Sequence, residues 1–215
     1  MNDEKQIIPE VPDGAPVPEQ KKKKTVAAVL FDYVEMFTWS VFAVLLIFTF
    51  GFRLCQVDGR SMENTLQDSQ RLLLRSAFYT PKQDDIIVFH LTKPEVNLEK
   101  TLVKRVIATG GQTVEINTKT GVVTVDGTEY PDPHSILKSA ATGEAVGHYD
   151  TGLFHYGYDR TTGVFRATVP EGMLFVMGDN RNNSKDSRNA DVGFVDERCV
   201  LGKVVLRLSP FTVFN

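Results

Sequence analysis

Apolar positions are unevenly spread along the 215-residue chain. Residues 1–20 are polar and acidic and carry Pro9, Pro12, Pro16 and Pro18. Such a segment cannot bury enough apolar surface to offset its chain entropy, so residues 1–25 are expected to form a disordered tail. Lys21 to Lys24 then abut a long apolar run, Val26 to Phe52, whose part from Met36 onward holds seventeen residues without a charge. At ~1.5 Å per residue that part gives ~26 Å of helix, near the thickness of a bilayer core. Residues 26–35 extend it toward the headgroups, with Asp32 and Glu35 on one face at the wetter end and Trp39 suited to the interface. The run is too long for a cleaved signal peptide, and no small-x-small site follows it. The expectation is an uncleaved anchor over residues 26–53.

Beyond Arg53 the pattern shortens. Apolar or alternating runs at 71–75, 86–89, 101–107, 113–116, 122–125, 164–168, 174–177 and 200–208 are separated by Gly, Pro, Asn and Asp, which reads as strands. No stretch here keeps a helical period. Residues 128–163 are rich in Gly, His, Tyr and Pro with little apolar patterning. The predicted architecture is a mainly β fold: a transmembrane helix, then an extracytoplasmic β-sheet or barrel-like core. The core is expected from 54–110 and 164–215, with 111–163 as an inserted β-ribbon and loop subdomain.

Composition changes this picture little. Fourteen Phe and six Tyr suit a β-rich core. A net charge of −3 gives no basic excess, so no nucleic-acid partner is expected. Cys55 and Cys199 match no metal or redox spacing and are expected as buried free thiols, a disulfide being the other possibility. No metal and no cofactor are expected. The lysines before the apolar run predict a cytoplasmic N-terminus, and the long domain after it translocates largely regardless of charge.

The densest chemistry lies in Met177-Gly178-Asp179-Asn180-Arg181-Asn182-Asn183-Ser184-Lys185-Asp186-Ser187-Arg188, directly after an apolar strand. Turn formers together with paired charges predict a cross-bonded loop. A calcium loop is excluded by Arg181 at the third position and the missing closing glutamate. Asn182-Asn183-Ser184 also matches a glycosylation acceptor, a pattern common by chance. Two further residues are candidates. Ser61 lies in Val57-Asp58-Gly59-Arg60-Ser61-Met62-Glu63-Asn64-Thr65-Leu66, and Lys104 lies in Leu102-Val103-Lys104-Arg105-Val106-Ile107. Taken alone, a serine in a turn is ordinarily structural and a strand lysine ordinarily snorkels to water. Alternation leaves both faces of that strand apolar, so the pattern does not say whether Lys104 or Arg105 is buried.

The three stretches, in this order behind an anchor, resemble the signatures of type I signal peptidases, in the single-span form typical of Gram-positive bacteria. These are serine/lysine proteases of the S26 type. The resemblance implies that Ser61 is the nucleophile and Lys104 the base, with the Ser61 N–H as first oxyanion donor and Gly59 where some members carry a hydroxyl donor. It implies that Ser184 bonds the Lys104 amine, that Asp186 and Arg188 pair to shape the loop, and that Gly178 lets backbone pass close. Val57, Met62, Leu66 and Val103 take the positions of the shallow substrate pockets. The implied partners are signal peptides of exported preproteins cut after a small-x-small motif, the lipid bilayer of the plasma membrane and the export machinery. The sequence departs from the family at Asn64, where proline is usual, at Asp84, where glycine precedes Asp85, and across Ala108 to Gln112. Four alternatives stay open. One is a self-cleaving Ser/Lys repressor, which has no anchor. Another is a Ser/His mechanism using His90, His134, His148 or His155. A third is an inactive membrane-tethered β scaffold that binds exported peptides. The last is a purely structural role for the loop.

Overall fold

The computed structural model describes residues 25–93, 98–135, 157–159, 161–181 and 183–214. Residues 1–24 of the tail expected over 1–25, and the stretch of the insert at 136–156 that holds His148 and His155, lie outside the described residues.

Helix α1 runs Val26–Gly51. Its side chains up to Phe50 are exposed, so its apolar surface is covered by no protein core. A helix that is apolar on all sides and has no core to face is suited to a membrane span. Among the described residues it is the one helix long and apolar enough to cross a membrane. It ends at Gly51, and strand β1, Phe52–Gln56, follows at once. The anchor expected through Arg53 is therefore two residues shorter. Phe50-Gly51-Phe52 is apolar in either element, so hydrophobicity alone could not place the boundary.

Beyond the helix, the strands among the described residues all pair antiparallel. The strands are β2 (Arg71–Arg75), β3 (Ile86–Lys93), β4 (Leu98–Thr109), β5 (Thr113–Asn117), β6 (Val123–Val125), β7 (Thr128–Glu129), β8 (Tyr158–Asp159), β9 (Val164–Thr168), β10 (Met173–Met177), β11 (Val195–Asp196), β12 (Val200–Leu208) and β13 (Phe211–Val213). The main sheet has the order β1-β2-β12-β3-β4-β10-β11, with β13 added to β12. A second sheet has the order β7-β6-β5-β9-β8. Ile86 to Phe89 are all buried, which is why this central strand reads as an unbroken apolar run.

The core falls into separate clusters. Ile107, Val114, Ile116, Phe165 and Phe175 pack the two sheets together. Val57, Met62, Leu66, Leu72, Leu74, Val88 and Val204 fill the space beneath the turn that carries Ser61. The return to the core expected at Val164 does not match the pairing. Val164–Thr168 pairs β5, with Ile116 opposite Phe165, and the main sheet resumes only at Met173. Strand propensity marked 164–168 as β but carried no information about which sheet it joins. Cys55 and Cys199 are free thiols, half-buried rather than buried.

Candidate active site

Lys104 sits in the middle of β4, opposite Ile87 of β3. Its side chain is 2% exposed. Nζ lies 2.7 Å from Ser61 Oγ and donates to the Val103 carbonyl at 2.8 Å. Burial pushes the ammonium pKa down to about 8. Lys100 and Arg188 push the same way, while Asp186 and Asp179 oppose. Desolvation is the largest of these effects, because removing a compact ammonium from water penalises only its charged form. Arg105, one residue on, is also buried, so both charges leave water. Its Nε and Nη2 bond the two oxygens of Asp179 at 2.9 and 2.7 Å, a bidentate pair, and Nη1 bonds the Asp84 carbonyl at 2.9 Å.

The loop 177–188 folds back onto the end of β10. The Val176 N–H donates to Ser187 Oγ at 2.9 Å, and the Ser187 N–H donates to the Val176 carbonyl at 3.0 Å. Asp186 is fully buried. It accepts the Gly178 N–H at 2.9 Å and a bidentate pair from Arg188, both bonds 2.8 Å. Burial alone would raise the Asp186 carboxyl, but the Arg188 guanidinium and these bonds outweigh it and hold the pKa low. A Cβ on Gly178 would overlap both Ser184 Oγ and the Ser61 carbonyl oxygen, so any side chain there must displace the Ser61 turn or the loop. Ser184 lies close to Asp186 and favours its charged form, yet its Oγ is buried without a hydrogen-bond partner. The Ser184–Lys104 bond implied by the resemblance is thus not formed here; Nζ spends its bonds on Ser61 and Val103.

The Ser61 turn is held from the same loop. The Asn180 N–H donates to the Ser61 carbonyl at 3.0 Å, and Asn180 Nδ2 bonds the Arg60 carbonyl at 3.1 Å. Thr65 Oγ1 donates to Asp179. Asn64 has φ +75°, a left-handed conformation that proline, fixed near −65°, cannot adopt. The departure from the usual proline is therefore a different turn rather than a looser copy of the same one. Asp84 also lies at positive φ, +73°, which accounts for glycine at that place in the family. Its side chain accepts from Tyr130 of the insert. Gly59, at φ +91°, donates its N–H to Asp68 at 2.7 Å.

A cleft of about 510 Å³ opens beside Ser61 and Lys104. Val57, Met62 and Val103 line it. Leu66 does not; it is fully buried in the core below. On one side the cleft meets β1, the edge strand of the main sheet. On the other it meets β4 before Arg105, where β4 pairs β3 and is not yet covered by β10. Of the histidines described, His90 bonds Thr101 and His134 lines a separate cavity. Neither is among the residues that line the cleft. Among the described residues no cluster of His, Cys, Asp and Glu could hold a metal. Sequence reasoning did not single out Asp179, Thr65 or Asn180. The only signal available was the density of bonding groups in the loop, which says nothing of their distant partners.

Comparison with known proteins covers the same span. The profile of the family described as signal peptidase, peptidase S26, matches residues 30–209. A signal peptidase I of Bacillus licheniformis is 34% identical over 185 residues, covering 85% of this chain and 90% of its own. A signal peptidase IB of Staphylococcus aureus (strain COL) is 32% identical over 162 residues, covering 74% and 78%. A crystal structure of a signal peptidase I from Enterococcus faecalis V583 is 31% identical, covers 60% of this chain and 99% of its own, and superposes with a TM-score of 0.40.

Proposed function

Because this chain belongs to the signal peptidase family, peptidase S26, we propose that Ser61 and Lys104 are the nucleophile and general base of its peptide cleavage. Membership itself makes the chain a peptidase that removes signal peptides. The single observation that carries the finer reading is the 2.7 Å approach of a buried lysine amine, its pKa lowered by desolvation, to a serine hydroxyl at the mouth of a cleft.

A serine hydroxyl attacks an amide only when a base takes its proton, and an amine serves only when neutral. With the pKa near 8, a useful fraction of Lys104 is neutral at ordinary pH. Oγ bonds to the scissile carbonyl carbon while Nζ accepts its proton. The tetrahedral oxyanion takes the Ser61 N–H. Collapse breaks the C–N bond, Nζ returns the proton to the leaving amine, and the mature chain departs. Lys104 Nζ then takes a proton from a water whose oxygen bonds to the acyl carbon; the ester C–O bond breaks and the proton passes from Nζ to Ser61 Oγ, which restores the enzyme. The Asp186–Arg188 pair and Gly178 hold the loop in register with the Ser61 carbonyl, and Ser184 packs beside Gly178.

The open edges of β1 and β4 favour a substrate laid between them as an added strand. Val57, Met62 and Val103 give the cleft an apolar lining, which favours the apolar, small side chains of a small-x-small cleavage motif over charged ones. Leu66 would act on the pocket only from beneath. The partners are the signal peptides of exported preproteins, the protein-export machinery and the bilayer. A lipid-facing role for the β domain is supported by register. Leu54, Leu73, Leu206 and Val213 stand opposite one another across β1, β2, β12 and β13. Leu54 and Val213 are 69% and 61% exposed, and Phe211, beside them, 72%. The anchor would leave the N-terminus in the cytoplasm and the catalytic domain outside the plasma membrane.

The test is incubation of the detergent-purified protein with a preprotein. The expected result is one cut after a small-x-small motif, lost in Ser61→Ala. Full cleavage by Ser61→Ala overturns the assignment, and binding without turnover would restore the inactive scaffold.

A further inference from the structure

The turn that carries Ser61 holds Asn64, in a left-handed conformation, where the signature it resembles has proline. Proline restricts the backbone before folding; asparagine does not. Something else must keep this turn in place. The loop 177–188 supplies bonds at Arg60, Ser61 and Thr65, all from one direction.

A second tether comes from the other end of the fold. Arg207 lies on β12, opposite Leu72 of β2 and Thr212 of β13. Leu72 is fully buried, so this register turns Arg207 toward the interior, away from the exposed row that contains Leu206. Every nitrogen of its guanidinium is used. Nε donates to the Pro210 carbonyl at 2.9 Å and Nη2 to Thr212 Oγ1 at 2.6 Å, which fixes the head within its own hairpin. Nη1 then reaches the Thr65 carbonyl at 2.9 Å, across 142 positions of sequence. Thr65 closes the nucleophile turn: its N–H and that of Leu66 both donate to the Met62 carbonyl, at 3.0 and 2.7 Å.

We propose that Arg207 is a positioning residue that clamps the Ser61 turn from the C-terminal hairpin, in the role proline would otherwise fill. The proposal rests on Ser61 being the nucleophile. A planar fork with three fixed donors suits this task, since it orients one nitrogen by spending the other two. Lysine has no such fork and cannot satisfy all three acceptors at once.

The experiment compares Arg207→Gln and Arg207→Lys with the wild type in preprotein cleavage, resolving kcat from KM well below each variant's melting temperature. Ser61→Ala runs in parallel. Arg207→Gln is expected to lower kcat about tenfold or more, with KM changed less than about threefold, because a charge-assisted bond to the turn is lost while the cleft is untouched. Arg207→Lys falls between. The pH midpoint of the rate stays where it is in the wild type, since Lys104 is not in contact with Arg207. A lower melting temperature with unchanged kcat would make Arg207 merely structural and overturn the proposal. If Arg207→Gln does not fold, the decision passes to Arg207→Lys, whose full kcat would overturn it equally. Activity in Ser61→Ala would sink the nucleophile assignment instead, a distinct result.

Discussion

Single side chains decide this site by what they exclude. Lys104 is depressed because water is kept from it, and the charges around it pull in both directions. Gly178 matters for an atom it does not have. Replacing it by alanine would drive a methyl group into Ser184 and the Ser61 carbonyl, and backbone must move to relieve the overlap. A shift of about 1 Å in a reacting group costs on the order of 100-fold in rate. Gly178→Ala should therefore cut preprotein turnover by about that factor while the protein stays folded, as judged by circular dichroism. Near wild-type turnover would show that the loop yields without moving Ser61. Sequence reading separated Lys104 from Arg105 only through resemblance. Both are buried, and what distinguishes them is Asp179, 74 positions away from Arg105, a partner that no local pattern reveals.

At the scale of elements, legibility followed length and period. β2, β9 and β12 stand at the expected boundaries, β5, β6 and β10 differ by a residue at one end, and β3 and β4 run well beyond theirs, to Lys93 and from Leu98 to Thr109. β7, β8 and β11 have two residues each, too few for any alternation to show. β1 was hidden because its first residue, Phe52, belongs to the apolar run of α1 and too little apolar alternation follows Arg53 to mark a new strand. The assignment of β9 to the second sheet depends on long-range pairing with β5. Turn chemistry was the least legible, since Asn64 and Asp84 read as simple departures from a motif although both occupy left-handed backbone. This yields a prediction opposite to a consensus argument. Asn64→Pro restores the family's residue but demands φ near −65° where the chain holds +75°. It should destabilise by more than about 1 kcal/mol, lowering the melting temperature by a few degrees and reducing turnover. A raised melting temperature would contradict the turn described here.

On the scale of the whole molecule, the apolar helix was plain from composition and length, and the mainly β class from the short alternating runs. How the chain lies across a membrane rests on Lys21 to Lys24 before the helix. If they hold the N-terminus inside, protease added to intact spheroplasts should shorten or remove the domain after Gly51. Complete protection in sealed cells would reverse the proposed orientation.

The account stands on Lys104 acting as a neutral base, and the pH dependence of preprotein cleavage by the wild type and Lys104→Arg reads this most directly. Burial lowers the folded pKa from its usual alkaline value, so the amine is protonated and idle in acid and free above about pH 8. The wild-type rate should rise with pH through about 8 and level off above it. Arginine keeps the charge but does not surrender its proton, so Lys104→Arg should be as inactive as Ser61→Ala at every pH. A Lys104→Arg enzyme that cleaves, with the wild type already at full rate by about pH 6 as a histidine base would allow, contradicts the mechanism.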